Sequence, residues 1–288
     1  MKNKSILITG AASGIGLAAT RQLHARGFEI FAGTLPGEDI SNLQALAKDR
    51  LHILPLDITN SDMIYTTRAK VQQSLGDRPL FGLFNNAGIA ISGPLEFIPL
   101  DAIRQQMEVN VFGHIAMTQA FLPMLRQSRG RIVNTVSILG RITVAFSGSY
   151  CMSKYAMEAF TDALRLELRP FGVHVSAIEP GAINTPLWSK VRDNAEEIAE
   201  ELPVEGQQLY GAGFKLMMRT ASKTGTAGIS PDRVAQAVAH AFMARRPRTR
   251  YIVGSDARLV AFLRRIVSDR VMDRIMATRY PMMKQPSP

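Results

Sequence analysis

The stretch SILITGAASGIG (residues 5–16) decides the fold, because a short apolar run passes directly into a glycine-rich turn. The following LAATRQLHARG (17–27) has apolar residues at helical spacing. A strand, a glycine-rich turn and a helix in this order are typical of a phosphate-binding site, since a helix N-terminus offers unpaired N–H groups to an anion. Gly10, Gly14 and Gly16 would allow a tight turn, close approach of the backbone to phosphate, and close packing of helix on strand. A glycine-rich turn without a ligand is the alternative.

Strand-like and helix-like stretches alternate along the rest of the chain. We predict six further strands, at residues 28–33, 52–59, 80–88, 130–137, 173–181 and 250–254. Helices are predicted between them, among them 63–76, 101–127 and one that begins at about Tyr150. Strands separated by helices indicate an α/β fold with a doubly wound, Rossmann-like parallel sheet. Such a sheet binds ligands beyond the carboxyl ends of its strands.

Length and composition bound the class of protein. The chain has 288 residues, of which 46% are hydrophobic and 20% charged, as in ordinary globular proteins. Without a break in composition, we predict a single domain over residues 1–288. The only cysteine, Cys151, excludes an intramolecular disulfide and favours a reducing, cytoplasmic location. Since the first apolar run begins at residue 5 and none is long enough to span a membrane, we expect neither a signal peptide nor a membrane anchor.

The net charge of +10 is concentrated at one end of the chain, since residues 245–288 alone contribute +8. We therefore predict a basic C-terminal extension at 257–288. Its apolar residues recur at helical spacing: Leu259, Phe262, Leu263, Ile266 and Val267. Such a helix could lie on an anionic membrane surface, cover the helices that precede it, or contact a partner subunit. We expect no nucleic-acid binding, because no recognition motif accompanies the charge.

A second motif lies at the predicted helix start, where SYCMSKYAMEAF (149–160) places Tyr150 and Lys154 four residues apart. Residues at this spacing share one helix face, so their side chains can converge on one point. A phenol has a pKa of about 10, and a neighbouring ammonium favours its ionised form. We hypothesise that Tyr150, with its pKa lowered by Lys154, is the general base in alcohol oxidation and the acid in carbonyl reduction. An ordinary amphipathic helix is the alternative.

These features and the motifs at other strand ends resemble the short-chain dehydrogenase/reductase family over nearly the whole chain. The matching motifs are TGAASGIG (9–16), Asp57, NNAG (85–88), Asn110, Ser137, Tyr150–Lys154 and PGAINT (180–185). LHILPLDIT (51–59) and RRPRTRY (245–251) are similar to the retinol dehydrogenase and 17β-hydroxysteroid dehydrogenase branch. The resemblance implies an NAD(P)-dependent oxidoreductase that interconverts an alcohol and a ketone or aldehyde.

The resemblance also implies roles for individual residues. Ser137 would donate a hydrogen bond to the substrate oxygen, and Asn110 would hold a water that passes protons to Lys154. The catalytic set is then Asn110, Ser137, Tyr150 and Lys154. The implied cofactor-binding residues are Gly10, Ser13, Gly14, Ile15, Gly16, Thr34, Asp57, Ile58, Asn86, Ala87, Gly88, Tyr150, Lys154, Pro180, Gly181, Ile183 and Thr185.

Alternatives stay open for several of these residues. Asp57 could cap a helix instead of lying beside adenine. The NNAG segment (85–88) could be a plain turn. Ser147 and Ser149 are rivals of Ser137, although their position in an irregular segment favours a role in shaping the loop.

The choice of cofactor depends on the end of the second strand, where an acidic residue binds ribose hydroxyls and a basic one binds the 2′-phosphate of NADP. The aligned position is Thr34, which is neither. Ser13 stands where many NADP-dependent relatives have Arg or Lys, so a 2′-phosphate would lack a charge partner. We predict NAD in preference to NADP. Glu38 and Asp39 lie too far along the chain to decide the matter.

Over sixty residues separate PGAINT from the last predicted strand, which is too long for a simple connection. We predict a helical substrate lid at 187–230. Its apolar residues could line a hydrophobic pocket or merely pack the lid onto the sheet: Leu187, Trp188, Leu209, Tyr210, Phe214, Leu216 and Met217. The resemblance implies a bulky lipophilic, steroid- or retinoid-like substrate. A non-catalytic dinucleotide-sensing protein and a short-chain ketone or acyl reductase are the alternatives.

The remaining predictions concern metals and partners. The five histidines have no metal-ligand spacing, so we expect no metal and expect most of them to be surface or helix residues. The resemblance implies a homodimer or homotetramer, often formed through the helix that carries Tyr150. Peripheral contact of the basic extension with a membrane is an open alternative to a purely cytoplasmic location.

Overall fold

The computed structural model describes residues 4–46 and 49–279. Seven strands form a parallel sheet in the order β3-β2-β1-β4-β5-β6-β7. The strands are β1 (Ser5–Thr9), β2 (Glu29–Thr34), β3 (Leu51–Pro55), β4 (Gly82–Asn85), β5 (Arg131–Thr135), β6 (His174–Pro180) and β7 (Arg250–Val253). The α/β fold and each predicted strand are confirmed, and the third ends four residues early because the chain leaves the sheet at Pro55.

Helices cover both faces of the sheet. They are α1 (Gly14–Ala25), α2 (Ser41–Leu46), α3 (Ser61–Leu75), α4 (Leu100–Met107), α5 (Gly113–Gln127), α6 (Gly148–Leu168), α7 (Leu187–Glu201), α8 (Val204–Thr226), α9 (Pro231–Met243), α10 (Ser255–Ile266) and α11 (Asp269–Arg279). The predicted helix 101–127 is present as α4 and α5, joined by a π-helical turn at Glu108–Phe112. The predicted lid comprises α7 and α8, whereas the short α2 was not predicted.

Strand β1 shows why these strands have to be apolar throughout. Ile6 and Ile8 pack into one core with α1 and α9, whereas Leu7 packs into a second core with α3 and α5. All three side chains are fully buried. A parallel sheet covered by helices on both faces therefore needs continuous apolar runs, not alternating ones.

The ligand crevice of this topology lies beside β1, because the chain passes from β3 on one side to β4 on the other. Thr9 at the end of β1 holds the two diverging loops in place. Its hydroxyl donates to the carbonyl of Phe84 (3.4 Å) and accepts from the N–H groups of Asn86 and Ala87 (2.9 and 3.0 Å). The end of β4 is thus fixed against the end of β1.

The C-terminal helices pack with a different face than the sequence pattern indicates. Ala257, Val260 and Ala261 are the buried residues of α10, whereas the predicted apolar residues Phe262 and Ile266 are 58% and 62% exposed. The predicted Leu259 is exposed as well, and Leu263 and Val267 are only partly buried. Within residues 4–46 and 49–279, the helices lack the combination of length and apolar character that crossing a membrane requires. The end of the predicted extension, 280–288, lies outside the described residues.

Candidate active site

A cavity of about 700 Å³ opens at the carboxyl ends of the central strands. Most of the predicted site residues border it: Gly10, Ser13, Gly14, Ile15, Asp57, Ile58, Asn86, Ala87, Gly88, Tyr150, Lys154, Pro180, Gly181, Ile183 and Thr185. The residues bordering it do not include the predicted Gly16, Thr34, Asn110 and Ser137. The sequence motifs therefore meet at one cavity, but four predicted residues lie behind its surface.

The glycine turn leaves no room for side chains. Gly10 and Gly14 have φ angles of 62° and 52°, which side chains disfavour. A Cβ on Gly10 would lie 2.9 Å from the Cα of Ala87, and a Cβ on Gly16 only 2.0 Å from the carbonyl oxygen of Gly10. Gly16 is thus a packing residue, which explains its absence from the cavity wall. Ser13 precedes α1 without capping it through its side chain, so the first N–H groups of the helix are left for a phosphate.

The loop after β3 also faces the cavity. Asp57 accepts hydrogen bonds from the N–H and the hydroxyl of Thr59 (2.9 and 2.7 Å). The residue that caps α3 is Asn60, whose side chain accepts from the N–H of Met63. The alternative reading of Asp57 as a helix cap is therefore wrong.

Tyr150 and Lys154 lie on the first two turns of α6 and both border the cavity. The Nζ atom of Lys154 lies 5.5 Å from the centroid of the Tyr150 ring and donates to the carbonyl of Thr135 at 3.1 Å. Lys154 is only 4% exposed. Burial lowers the pKa of Lys154 to about 8, because the ammonium has lost most of its hydration.

The expected lowering of the Tyr150 pKa by Lys154 is wrong for this structure. Burial of the phenol raises the pKa of Tyr150, and a hydrogen bond with Ser137 opposes that rise. Desolvation dominates because the Lys154 ammonium is bonded to a backbone carbonyl instead of the phenol oxygen. A neutral phenol suits the donation of a proton to a carbonyl oxygen.

Ser137 and its two rivals have different surroundings. Ser137 is buried, and its hydroxyl accepts from the N–H of Leu139 (3.1 Å) in addition to its hydrogen bond with Tyr150. The hydroxyl of Ser149 donates to the carbonyl of Ile91 at 2.9 Å, away from the phenol. Ser147 borders the cavity just before α6. Only Ser137 of these three has a hydrogen bond with Tyr150 among the contacts of the described residues.

Asn110 lies in the π-helical turn, a feature that often marks functional positions. Its Oδ1 atom accepts from the N–H of Ile89 (2.9 Å), and its Nδ2 atom donates to the carbonyl of Ile89 (2.8 Å) and to the hydroxyl of Ser153 (3.0 Å). A Cβ on Gly88 would lie 3.2 Å from Oδ1 of Asn110 and 4.0 Å from Nζ of Lys154. Asn110 therefore holds the loop after β4 close to the lysine.

Two residues that the sequence did not single out hold the cavity loops from behind. His114 is one of the expected helix histidines, on α5, but it is fully buried, and its Nε2 atom donates to the carbonyl of Ala87 (2.8 Å). Burial lowers the pKa of His114 to about 3, which keeps the imidazole neutral. Asp256 accepts from the N–H of Ala182 (3.0 Å), and a Cβ on Gly181 would lie 2.3 Å from its carboxylate. No spacing in the sequence links these residues to the loops they support.

A buried ion network fixes the catalytic helix to the end of β6. Glu179 is fully buried and pairs with Arg141 (2.6 Å) and Arg250 (3.1 Å). Arg250 also pairs with Glu158 (2.8 Å), one turn beyond Lys154 on α6. The network therefore connects the strand before Pro180 with the helix that carries the tyrosine.

The prediction that Thr34 binds the cofactor is wrong, because this residue does not border the cavity. This residue is buried and paired with Pro55 inside the sheet, so it does not reach the cavity. Leu35 and Glu38 border the cavity instead, with Lys190 from α7. The sequence left the role of Glu38 open. Its side chain borders the cavity, whereas the neutral Thr34 does not.

Some apolar residues of the predicted lid line the cavity, and others only pack the lid against the rest of the protein. Leu187, Trp188 and Met217 border the cavity. Tyr210 and Phe214 instead pack against Phe146 in a separate core. Leu209 and Leu216 do not border the cavity, and Leu216 is exposed. The first two turns of α7 and the second half of α8, where Ala221 also borders the cavity, thus supply an apolar wall.

Comparison with known proteins agrees with this geometry. A family model described as short chain dehydrogenase matches residues 4–196. The chain is 38% identical over 282 residues to retinol dehydrogenase 5 of Mus musculus, covering 96% of this chain and 88% of the relative. It is also 38% identical over 283 residues to 17-beta-hydroxysteroid dehydrogenase type 6 of Bos taurus, covering 95% and 89%.

A solved structure extends the agreement to the fold. The short chain dehydrogenase from Burkholderia cenocepacia J2315, in complex with NADP, superposes with a TM-score of 0.72 at 25% identity, covering 98% of this chain and 100% of that one. The resemblance to the retinol and hydroxysteroid dehydrogenase branch is confirmed, as are an oxidoreductase activity on alcohols and ketones or aldehydes and a nicotinamide dinucleotide cofactor. With its glycine turn, tyrosine and lysine around one cavity, the chain belongs to the short-chain dehydrogenase family.

Proposed function

We propose that the protein interconverts a bulky lipophilic alcohol and its ketone or aldehyde, with NAD as cofactor and Tyr150 as the group that exchanges the proton. The observation that carries the proposal is that Tyr150 and Lys154 border the same cavity as the glycine turn. A non-catalytic dinucleotide sensor would not need a buried lysine beside a tyrosine. Residues 1–288 act as one catalytic domain, with residues 187–230 as the substrate lid.

Each residue of the site has a role that follows from its contacts. The bound dinucleotide supplies or accepts the hydride. In carbonyl reduction the Tyr150 hydroxyl donates a proton to the substrate oxygen, and Ser137 donates a hydrogen bond that stabilises the charge developing there. Lys154, with its lowered pKa, exchanges protons readily near neutral pH and binds the cofactor ribose. Asn110 positions the loop beside Lys154 and a water through which protons pass.

The lipophilic substrate is supported by the apolar part of the cavity wall. The lid contributes Leu187, Trp188, Val191 and Met217, and the loop after Ser137 contributes Leu139. Apolar side chains around a few convergent polar groups are the usual composition of a site for a hydrophobic small molecule. The names of the relatives, a retinol dehydrogenase and a hydroxysteroid dehydrogenase, point to the same substrate class.

Two proposals concern partners and location. Met152, Tyr155 and Leu166 of α6 are exposed, which supports a homodimer or homotetramer formed through this helix. On α10, the exposed Phe262 and Ile266 lie among arginines, which supports contact of the basic extension with an anionic membrane surface. The single cysteine, Cys151, is buried and unpaired, in keeping with a cytoplasmic protein.

A spectrophotometric screen at the absorbance of the reduced cofactor tests the proposal. Retinoid and steroid alcohols and their carbonyl forms are offered with NAD(H) and with NADP(H), next to short-chain ketones and acyl substrates. We expect turnover with the lipophilic compounds and NAD(H). Turnover restricted to short-chain substrates would overturn the substrate class, and cofactor binding without any turnover would favour the sensor.

A further inference from the structure

The segment that follows Ser137 is a short turn that ends in an arginine. Ser137 precedes a 3₁₀ turn at Ile138–Gly140, and Arg141 follows it. The N–H of Gly140 donates to the carbonyl of Ser137 (2.9 Å). The N–H of Arg141 donates to the carbonyl of Ile138 (3.0 Å). Ser137 and Arg141 are therefore joined by a hydrogen-bonded piece of backbone, so a displacement of one is passed to the other.

Both ends of this turn are attached to neighbouring residues of β6. Before the turn, the N–H of Val136 donates to the carbonyl of Ile178 (2.8 Å). After the turn, the Nη2 atom of Arg141 donates to Oε1 of Glu179 (2.9 Å), and its Nε atom lies 2.6 Å from Oε2. Ser137 lies between these two attachments, so its place beside the sheet depends on both.

The catalytic helix α6 is attached to the same carboxylate. The Nε atom of Arg250 lies 3.1 Å from Oε1 of Glu179, and its Nη2 atom pairs with Glu158 of α6 (2.8 Å). The turn also packs directly on this helix. A Cβ on Gly140 would lie 2.9 Å from the carbonyl oxygen of Lys154 and 3.1 Å from Cγ of Glu158. Glu179 is therefore a common point of attachment for the turn and for the helix.

Stability alone does not account for this arrangement. The Glu179 side chain is fully buried, and those of Arg141 and Arg250 are each 26% exposed. Removing these charges from water is costly, and well-packed apolar side chains in place of a buried ion pair often give equal or greater stability. The pair supplies direction instead, because a planar guanidinium that faces both oxygens of a carboxylate fixes distance and angle together.

Resting on the proposed function, we propose that Arg141 is a positioning residue that, through Glu179, holds the Ser137 hydroxyl where it meets Tyr150 and the substrate oxygen. Ser137 is only 8% exposed and lies just behind the cavity surface, so a small shift of the turn decides whether its hydroxyl reaches the substrate. Arg141 is not among the described residues that border the cavity. It acts on the reaction through Ser137, since a donor stabilises developing charge only where its position is fixed.

A double-mutant cycle between Ser137 and Arg141 tests this role. Turnover is followed by oxidation of the reduced dinucleotide, with the carbonyl compound that the wild type reduces fastest in the screen above. Ser137→Ala is expected to lower kcat about 10²-fold by loss of the donor, and Arg141→Gln about tenfold by displacing it. Ser137→Ala/Arg141→Gln should have the same kcat as Ser137→Ala, because no hydroxyl is left to position.

Arg165→Gln is the matched control. The Arg165 side chain is 28% exposed, close to the 26% of Arg141, but pairs with Asp162 of its own helix instead of a residue of the sheet. We expect Arg165→Gln to leave kcat unchanged.

Binding of the dinucleotide separates positioning from general damage to the site. Trp188 is the only tryptophan and borders the cavity, so quenching of its fluorescence measures this binding without any substrate. Arg141→Gln should leave the dissociation constant unchanged, because Arg250 still pairs with Glu179.

Melting temperatures check that each variant is folded. If Arg141→Gln does not fold, Arg141→Met/Glu179→Met replaces it in the cycle, since both charges are then removed together. Normal kcat in either single variant, losses that multiply in the double variant, an equal loss in Arg165→Gln, or dinucleotide binding weakened as much as kcat would each overturn the positioning role. A wild type that reduces no carbonyl compound would instead refute the proposed function, before any variant is compared.

Discussion

The two lysines at the cavity show how differently its two ends are constructed. Lys154 is 4% exposed, is bonded to a strand carbonyl, and stands on a helix that a buried ion network fixes in place. Lys190 is largely exposed on a lid helix and has one distant carboxylate partner. The lysine at one end is therefore buried, with a lowered pKa, whereas the lysine at the other end has an exposed side chain.

This difference indicates which substitutions at the cavity should have large effects. Burial moves the pKa of Lys154 towards neutral pH, and burial of an ammonium costs stability. An exposed charged group contributes little to stability, even where it is paired. Substitutions at the buried end should therefore have large effects and those at the exposed end small ones.

The largest effect is expected for Tyr150→Phe. Because the substitution removes the hydroxyl that exchanges the proton, turnover should fall by about 10²–10⁴. Binding of the dinucleotide should change little, since the glycine turn is untouched. Initial rates measured with the reduced cofactor, together with the fluorescence of Trp188, separate the two quantities. Normal turnover in this variant would remove Tyr150 from the reaction.

Lys154→Met is expected to abolish most activity and yet to stabilise the protein at pH 7. The pKa of Lys154 is lowered from 10.5 to about 8 in the folded protein, so the unfolded chain binds the proton more tightly. Stability of the wild type therefore rises as the pH increases from about 8 to 10.5. Below pH 8 the buried charge costs the wild type up to about 3 kcal/mol. The gain in stability of Lys154→Met is smaller than this, because the variant leaves the carbonyl of Thr135 without its donor.

Urea denaturation of both proteins at pH 7 and pH 10 measures this effect. The advantage of Lys154→Met should shrink at the higher pH. Lys190→Met is the matched control, and we expect it to leave stability within about 0.5 kcal/mol at both values because its side chain is exposed. An advantage that does not change with pH would show that the buried ammonium is not its source.

Gly16→Ala and Gly211→Ala compare backbone packing in the two regions. A Cβ on Gly16 would meet the carbonyl oxygen of Gly10 at 2.0 Å, whereas a Cβ on Gly211 in α8 has no neighbour closer than 4.0 Å. The first substitution should cost about 1–3 kcal/mol by overpacking and weaken dinucleotide binding. The second should stabilise the lid helix by up to about 1 kcal/mol. If both variants shifted the melting temperature from that of the wild type by the same amount, this distinction would be contradicted.

The same distinction explains which features could be predicted from the sequence. The seven strands and the glycine turn follow from local patterns, namely apolar runs on a two-sided sheet and glycines where the backbone makes close contacts. The convergence of Tyr150 and Lys154 follows from helical spacing. The pKa of Tyr150 could not be predicted, because it depends on how far packing excludes water from the phenol and on which acceptor Lys154 finds.

At the end of the cavity near Lys190, the position of a residue in the sequence did not predict whether its side chain borders the cavity. Thr34 aligned with the end of the second strand but is turned into the sheet, whereas Glu38 reaches the cavity from the following turn. The partner of Glu38 is Lys190, 152 positions later in the numbering, on a lid whose placement no local pattern specifies. The prediction of the buried face of α10 was wrong for a similar reason, because small residues such as Ala257 and Ala261 form its buried side.

The smallest effect on stability is expected on α10, outside the cavity. Phe262→Ser/Ile266→Ser should change the free energy of unfolding by less than about 0.5 kcal/mol, because both side chains are more than half exposed. If the basic extension lies on a membrane, the same variant should lose sedimentation with anionic phospholipid vesicles. Val260→Ser is the contrasting control, since its side chain is buried on the same helix and its loss should lower the melting temperature. Equal vesicle binding by wild type and Phe262→Ser/Ile266→Ser would show that these exposed residues do not contact lipid, and would leave their exposure to be explained by a protein partner.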